Sequence, residues 1–196
     1  MGERGKYTAR RFEWEFRRTD IPLAVSVAVL YLPHTRRLIV SEEQTPPAVI
    51  NFYSTAGDYG CFSNFSRHRV HLKGKNWPTT EHYFQAQKFA GEPDETEVGQ
   101  AKTPALAARM GRDRKRPLRR DWEAVKETVM LEALRAKFTQ HDDLREILLG
   151  TGDAKLVEHT ENDSYWGDGG DGSGKNRLGV LLMRLRDELR AEAVKS

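Results

Sequence analysis

The 196-residue sequence is short of cysteine, of long apolar runs and of net charge, and each shortage removes a class of protein. A single thiol, Cys61, excludes an internal disulfide and fits a reducing compartment. One thiol and scattered histidines cannot assemble a standard tetrahedral zinc site, so no metal is expected. The apolar run Ile21–Leu32 covers about a dozen residues, too few to cross a bilayer. Basic residues precede it, as in a secretion signal. Glu13, Glu15 and Asp20 interrupt that region, however, and Pro33-His34 stands where small cleavage-site residues belong. A buried strand in a cytoplasmic protein with no membrane attachment is the expectation. The 32 basic and 29 acidic side chains leave a net charge of only +3, which does not suit a general polyanion binder. No internal repeat is visible, and nothing signals an obligate protein partner.

What remains is enough chain for one domain with a real hydrophobic core, plus an appendage. Two styles of sequence meet near Thr45-Pro-Pro47. Before it, Leu23–Leu32 and Arg37–Val40 are rich in β-branched residues and are separated by Pro33-His-Thr35, which predicts a hairpin. Glu42–Pro47 reads as a linker. The division is therefore 1–48, an N-terminal appendage, and 49–196, the main domain. In the latter, Val49–Tyr53 and Arg69–Lys73 predict strands, with Gly74 as a turn. Helices follow: one capped by Thr79 or Thr80, one over 104–109 stopped at Gly111, and one capped by Asp121 with Trp122, Val125, Val129, Leu134 and Phe138 inward. Further helices are predicted over 142–149 and through Leu178, Leu181, Leu182, Leu185 and Leu189, with Leu156-Val157 as a strand. The class is α+β, a helix-rich single domain with a small β-sheet, preceded by the N-terminal β-hairpin.

The most informative segment is Trp77-Pro-Thr-Thr-Glu81-His-Tyr-Phe-Gln85-Ala-Gln-Lys88-Phe89. On a helix, Glu81, Gln85 and Lys88 share one face, so an acid, an amide and an amine point together. Such convergence suits bond-breaking chemistry. An amphipathic surface helix with an acid in its first turn is the plainer alternative. The knot Arg109–Arg120 holds seven cations and one anion. It either coats a solvated loop or steers a phosphorylated ligand. The run Gly169-Gly-Asp-Gly-Ser-Gly174-Lys175-Asn176 nearly spells a P-loop, but Asn176 replaces the magnesium-holding hydroxyl, and Asp168 and Asp171 repel phosphate. Its acids do not alternate as calcium ligands would. The loop is either a flexible connector or a site element that offers carboxylates, an aromatic plate and close backbone approach.

Several blocks, in order, make the chain recognisable. They are Asn51–Ser54, Tyr59–Phe65, Trp77–Phe89, Ala108–Arg114, Asp121-Trp122, Ala136–Phe138, Leu156–Thr160, Asp163–Asp168 and Gly174–Gly179. Together they resemble the NADAR superfamily, and in particular its bacterial N-glycosidases, over roughly Val49 to Leu189. Residues 1–48 lie outside the resemblance, as an appendage or as a start placed too early. The resemblance implies a helix-rich α+β domain and cleavage of the ribosyl N-glycosidic bond in early riboflavin-pathway intermediates. The substrate would be a phosphorylated ribosyl-aminopyrimidine, or else ADP-ribosylated guanine, as in other superfamily members. No cofactor is implied. The family motifs carry functional residues onto Glu81, Trp122, Asp163, Trp166 and Asp168, and analogy with the ADP-ribose-removing members adds Lys88 as an amine.

The side chains allow two routes. Glu81 stabilises positive charge on the sugar and activates water, with Asp163 or Asp168 assisting. Alternatively, neutral Lys88 attacks the anomeric carbon and forms an imine, which needs a depressed lysine pKa. A salt bridge to a loop aspartate is the plainer role for Lys88. Trp122 and Trp166 can sandwich a planar base or simply pack in the core. Asn64 and Asn176 are expected at ribose hydroxyls or phosphate, and Arg112, from the knot, at the 5′-phosphate. A non-catalytic nucleotide sensor is a further alternative, disfavoured by the intact acid and amine.

Overall fold

The computed structural model describes residues 48–194 together with two short strands, β1 (Val29–Leu30) and β2 (Ile39–Val40). These two pair antiparallel, Val29 opposite Val40 and Leu30 opposite Ile39. They belong to a first unit, residues 1–44, while a second unit covers 45–196. The remainder of the expected hairpin, most of the Ile21–Leu32 run and the Glu42–Pro47 linker lie outside the described residues.

The second unit begins with β3 (Val49–Phe52), whose alternating pattern buries Ile50 and Phe52 and exposes Val49 and Asn51. Its partner is β6 (Lys155–Glu158), more than 100 residues later, in parallel register with Ile50 opposite Leu156 and Phe52 opposite Glu158. Everything between is one long crossover, which a parallel pair requires. β4 (Val70–Leu72) and β5 (Lys75–Trp77) form a tight antiparallel hairpin. Lys73 and Gly74 both take positive φ there, as a two-residue turn demands. Among the described residues the strands form two-stranded pairs and there are six α-helices, an α+β arrangement.

The first helix, α1 (Thr80–Ala86), starts at Thr79, whose hydroxyl accepts from the His82 amide at 3.3 Å, and passes into a 3₁₀ turn at Gln87–Phe89. Every residue of α1 is buried. That overturns the surface-helix alternative: α1 is enclosed by β5, α2 (Pro93–Gly99), α3 (Pro104–Gly111) and α4 (Trp122–Gln140). Hydrophobic periodicity gives no warning of α2, which relies on Pro93 at its first turn and Asp94 and Glu95 near its positive end. α4 buries Trp122, Val129, Leu134 and Phe138 as patterned. Asp121, however, does not cap it, because its carboxylate is taken by the Arg119 guanidinium at 2.6 Å.

After α5 (Asp142–Gly150) and β6 comes α6 (Arg177–Ala193), with Leu178, Leu181, Leu182, Leu185 and Leu189 inward. Gly179 lets α6 approach β6 closely: a Cβ there would lie 2.1 Å from the Leu156 carbonyl. The core is a continuous apolar cluster from Ile50 and Phe62 through Tyr83 and Leu134 to Leu185. No helix among the described residues is long and apolar enough to cross a membrane.

Candidate active site

At the C-terminal ends of β3 and β6, beside α1 and α4, lies a cavity of about 370 Å³. Glu81, Gln85 and Lys88 all line it, joined by Asn64, Arg112, Trp122, Asp163 and Trp166. Residues from five separate stretches of sequence therefore meet there. Asp168 and Asn176 do not line it, and the expectation for these two needs correction. The Asp168 oxygens accept from His159 Nδ1 at 2.8 Å, Thr160 N at 3.1 Å and Gly170 N at 2.9 Å. These bonds, above all that from His159, hold its pKa down to about 2. Asn176 spans from the Glu158 amide (2.9 Å) to the Leu156 carbonyl (2.8 Å), binding the start of α6 to β6. Both shape the loop that delivers Asp163 and Trp166. That loop is no flexible connector: backbone bonds such as Lys175 N to Ser164 O, Asn176 N to Gly167 O and Leu178 N to Trp166 O stitch it closed.

Glu81 is buried, and burial pushes its carboxyl above the ordinary range. The Gln85 amide at 2.8 Å and the nearby Lys88 and Arg112 charges pull the other way, while Asp163 adds to the rise. The backbone N–H of Glu81 donates to Asn64 O at 3.1 Å, and Asn64 Oδ1 receives the Thr80 hydroxyl at 3.0 Å. Asn64 thus locks the 3₁₀ turn Gly60–Phe62 and its following loop onto the start of α1. Gln85 Oε1 is buried without a donor and faces the end of α3 at Gly111.

Lys88 shows the mirror image. Burial lowers its pKa, and Glu81 only partly restores it. Its ammonium donates to Gly111 O at 2.9 Å and stands 5.7–5.8 Å from the Trp122 and Phe84 ring centres. No aspartate pairs with it among the described residues, which removes the salt-bridge alternative. Trp122 and Trp166 are not two free plates. Trp122 lies tilted on Phe84 at 5.1 Å and Trp166 meets it edge-on at 5.3 Å, so the three rings form one aromatic wall. Asp163 uses Oδ1 to hold the amides of Tyr165 (2.8 Å) and Trp166 (2.7 Å), leaving Oδ2 for the cavity.

The sequence reading missed Glu158. It sits inside the quoted block Leu156–Thr160, yet a lone acid closing a short strand carries no periodic signal. It lines the cavity, half-buried, and its carboxylate has no hydrogen-bond or ion-pair partner among the described residues. Burial first, then the charges of Asp163, Glu81 and Asp168, raise its pKa to about 7. Two of the seven cations of the arginine knot are neutralised: Arg116 pairs with Asp94 and Glu97, and Arg119 with Asp121. Arg112 is its one member in the cavity wall. Among the described residues no cluster of histidine, cysteine or carboxylate is suited to a metal ion.

A buried acid and a half-buried amine whose proton affinities are shifted toward each other, beside an aromatic wall, can move protons on a flat, ring-bearing substrate. Comparison with known proteins agrees with that geometry. The NADAR domain family matches residues 51–190. The N-glycosidase YbiA of Escherichia coli K12 is 63% identical over 144 residues, covering 74% of this chain and 90% of that protein. A riboflavin biosynthesis protein of Vibrio vulnificus is 41% identical over 144 residues, 74% of this chain but 39% of its own length. The solution NMR structure of E. coli YbiA superposes with a TM-score of 0.72 at 60% identity, covering 77% of this chain and 90% of that one. The chain therefore belongs to the NADAR domain family, among whose members its near relatives are N-glycosidases.

Proposed function

We propose that this N-glycosidase hydrolyses the ribosyl C–N bond of early riboflavin-pathway aminopyrimidine ribose 5-phosphates, releasing the aminopyrimidine and ribose 5-phosphate. The observation that carries this is the presence of Glu81 and Lys88 in a single cavity walled by Trp122, Phe84 and Trp166. A planar diamino-pyrimidine fits against that wall, and Asp163 Oδ2 offers an acceptor for its N–H groups or for sugar hydroxyls. The name of the Vibrio relative supports the pathway.

In the reaction, the C1′–N bond breaks with positive charge on the sugar and negative charge on the base. Ionised Glu81 stabilises the sugar cation and removes a proton from the water that attacks C1′. Glu158, held near neutrality and free of partners, supplies the proton that leaves with the base. One water is consumed, and each product leaves neutral at the broken bond.

A second route is favoured by one observation, the lowered pKa of an unpaired Lys88. Its neutral amine adds to C1′, the protonated base departs, the ribose opens to an imine, and water then frees the amine and the sugar phosphate. Mass spectrometry of released base tests the activity, with freshly made intermediate in one arm and ADP-ribosylated guanosine in the other. Base release from the first arm is expected; release from the second alone transfers the assignment to ADP-ribose removal. Borohydride during turnover separates the routes, because only an imine leaves a reduced sugar on Lys88.

A further inference from the structure

Beside the reaction cavity lies a second, larger concavity of about 800 Å³, and the two share Tyr53, Phe65 and Glu158 in their walls. They are two arms of one cleft that meet at the end of β6. The outer arm contains none of Glu81, Lys88, Trp122 or Trp166. Its walls carry Arg67 and Arg69, from the segment entering β4, and Lys102, from the turn before α3. All three are exposed, and none has a side-chain ion pair or hydrogen bond among the described residues. Many arginines elsewhere are held: Arg116 by Asp94 and Glu97, Arg135 by Glu188 and Glu192, Arg177 by Glu127, Arg190 by Asp153.

The inner arm has the opposite character. Glu81, Glu123 and Asp163 line it and not the outer arm, Glu158 stands in both walls, and of its cations Lys88, Arg112 and Lys126 the last is already paired with Glu123 at 2.6 Å. A phosphate dianion placed there would sit among carboxylates, whereas three unneutralised cations on a concave wall focus positive potential a short distance away. Guanidinium groups also match phosphate oxygens in geometry. We propose that the outer arm is the phosphoryl-binding subsite: Arg67, Arg69 and Lys102 grip the phosphate end of the ribosyl substrate while the base lies on the aromatic wall. This rests on the N-glycosidase reading and moves the phosphate contact away from Arg112, which instead biases Glu81 and Lys88 electrostatically. The arm is roomier than one phosphoryl group requires, so a sugar monophosphate and a diphosphate-linked nucleoside share the chemistry that would fill it.

The test is the triple variant Arg67→Ala, Arg69→Ala, Lys102→Ala, with its fold checked by circular dichroism and thermal melting. Ribose, ribose 5-phosphate and ADP-ribose are titrated against it and against the wild type. At least a tenfold loss of affinity for both phosphorylated ligands is expected, with ribose unchanged and the salt dependence of binding flattened. Tighter wild-type binding of ADP-ribose than of ribose 5-phosphate identifies a diphosphate occupant; the reverse order identifies a monophosphate. Arg109→Ala, Arg114→Ala, Lys115→Ala in the knot serves as the control and is expected to leave binding unchanged. Equal affinities in wild type and triple variant, loss in the knot variant instead, or no wild-type binding of either phosphorylated ligand each overturns the proposal. A wild type that binds through these cations but releases no base sinks the hydrolase reading and leaves the subsite standing. Base release with the same KM in the triple variant does the opposite.

Discussion

Burial acts on Glu81 and Lys88 in opposite senses, raising the acid and lowering the amine. Glu81→Gln keeps the shape and the bond to Gln85 but removes the proton acceptor. Turnover is expected to fall by about 10²- to 10⁴-fold, the usual worth of a positioned base, with no loss of melting temperature. Turnover within about threefold of wild type would remove Glu81 from the chemistry. Glu158 makes a second prediction. Its carboxyl is protonated below about 7 and ionised above, so a proton donor at this position gives a rate that falls as pH rises through about 7. The profile of kcat/KM should show that falling limb, and Glu158→Gln should flatten it while lowering the plateau. An unaltered limb in the variant assigns the titration to another group.

The junction of α1 with α3 controls how the acid and amide are aimed. Gly111 ends α3, and its carbonyl receives the Lys88 ammonium. A Cβ added there would fall 1.9 Å from Gln85 Oε1, within the amide that holds Glu81. Gly111→Ala therefore drives Gln85 out of place. The cost is about 1–3 kcal/mol, typical of overpacking, accompanied by loss of turnover of at least tenfold. Thermal melting and rates measured on one preparation check both; unchanged activity would mean that the Gln85–Glu81 bond is dispensable. Spacing in the sequence already brought Glu81, Gln85 and Lys88 to one face, because helix geometry is local. Whether that face met water or an interior was not local. It depended on β5, α2, α3 and α4 closing around α1, and α2 had left no periodic trace. Asp168 and Asn176 fall outside the cavity lining for a related reason: a glycine loop advertises its polar residues but not which backbone groups they will satisfy.

At the scale of the whole fold, Lys137 is a fully buried charged group outside the cavity. Its ammonium is fully enclosed, donating to Ser63 O at 3.0 Å and Ser66 Oγ at 2.6 Å, with no carboxylate partner among the described residues. Burial drags its pKa from 10.5 to about 7, slightly offset by Cys61. Between those values the unfolded chain holds a proton that the native state has released, so stability rises with pH across that window. Below about 7 both states are charged and the penalty is complete. Denaturant melts at pH 6, 8 and 10 should show increasing stability by up to a few kcal/mol, a trend that Lys137→Met abolishes. A flat wild-type profile would mean that the amine is charged and solvated at all three. The bonds of Lys137 also anchor the loop carrying Asn64 and Phe65, so one buried amine supports a wall of the cleft from behind.

The sequence by itself determined every helix but α2, the common face of Glu81, Gln85 and Lys88 on α1 and its following turn, and the family, because propensity, capping and motif order are written in neighbouring residues. Only the tertiary structure decided that α1 is enclosed, that Glu158 joins the site and that Asp168 and Asn176 serve the loop. Those outcomes follow from the parallel pairing of β3 with β6 across more than 100 residues, a contact that no local pattern encodes.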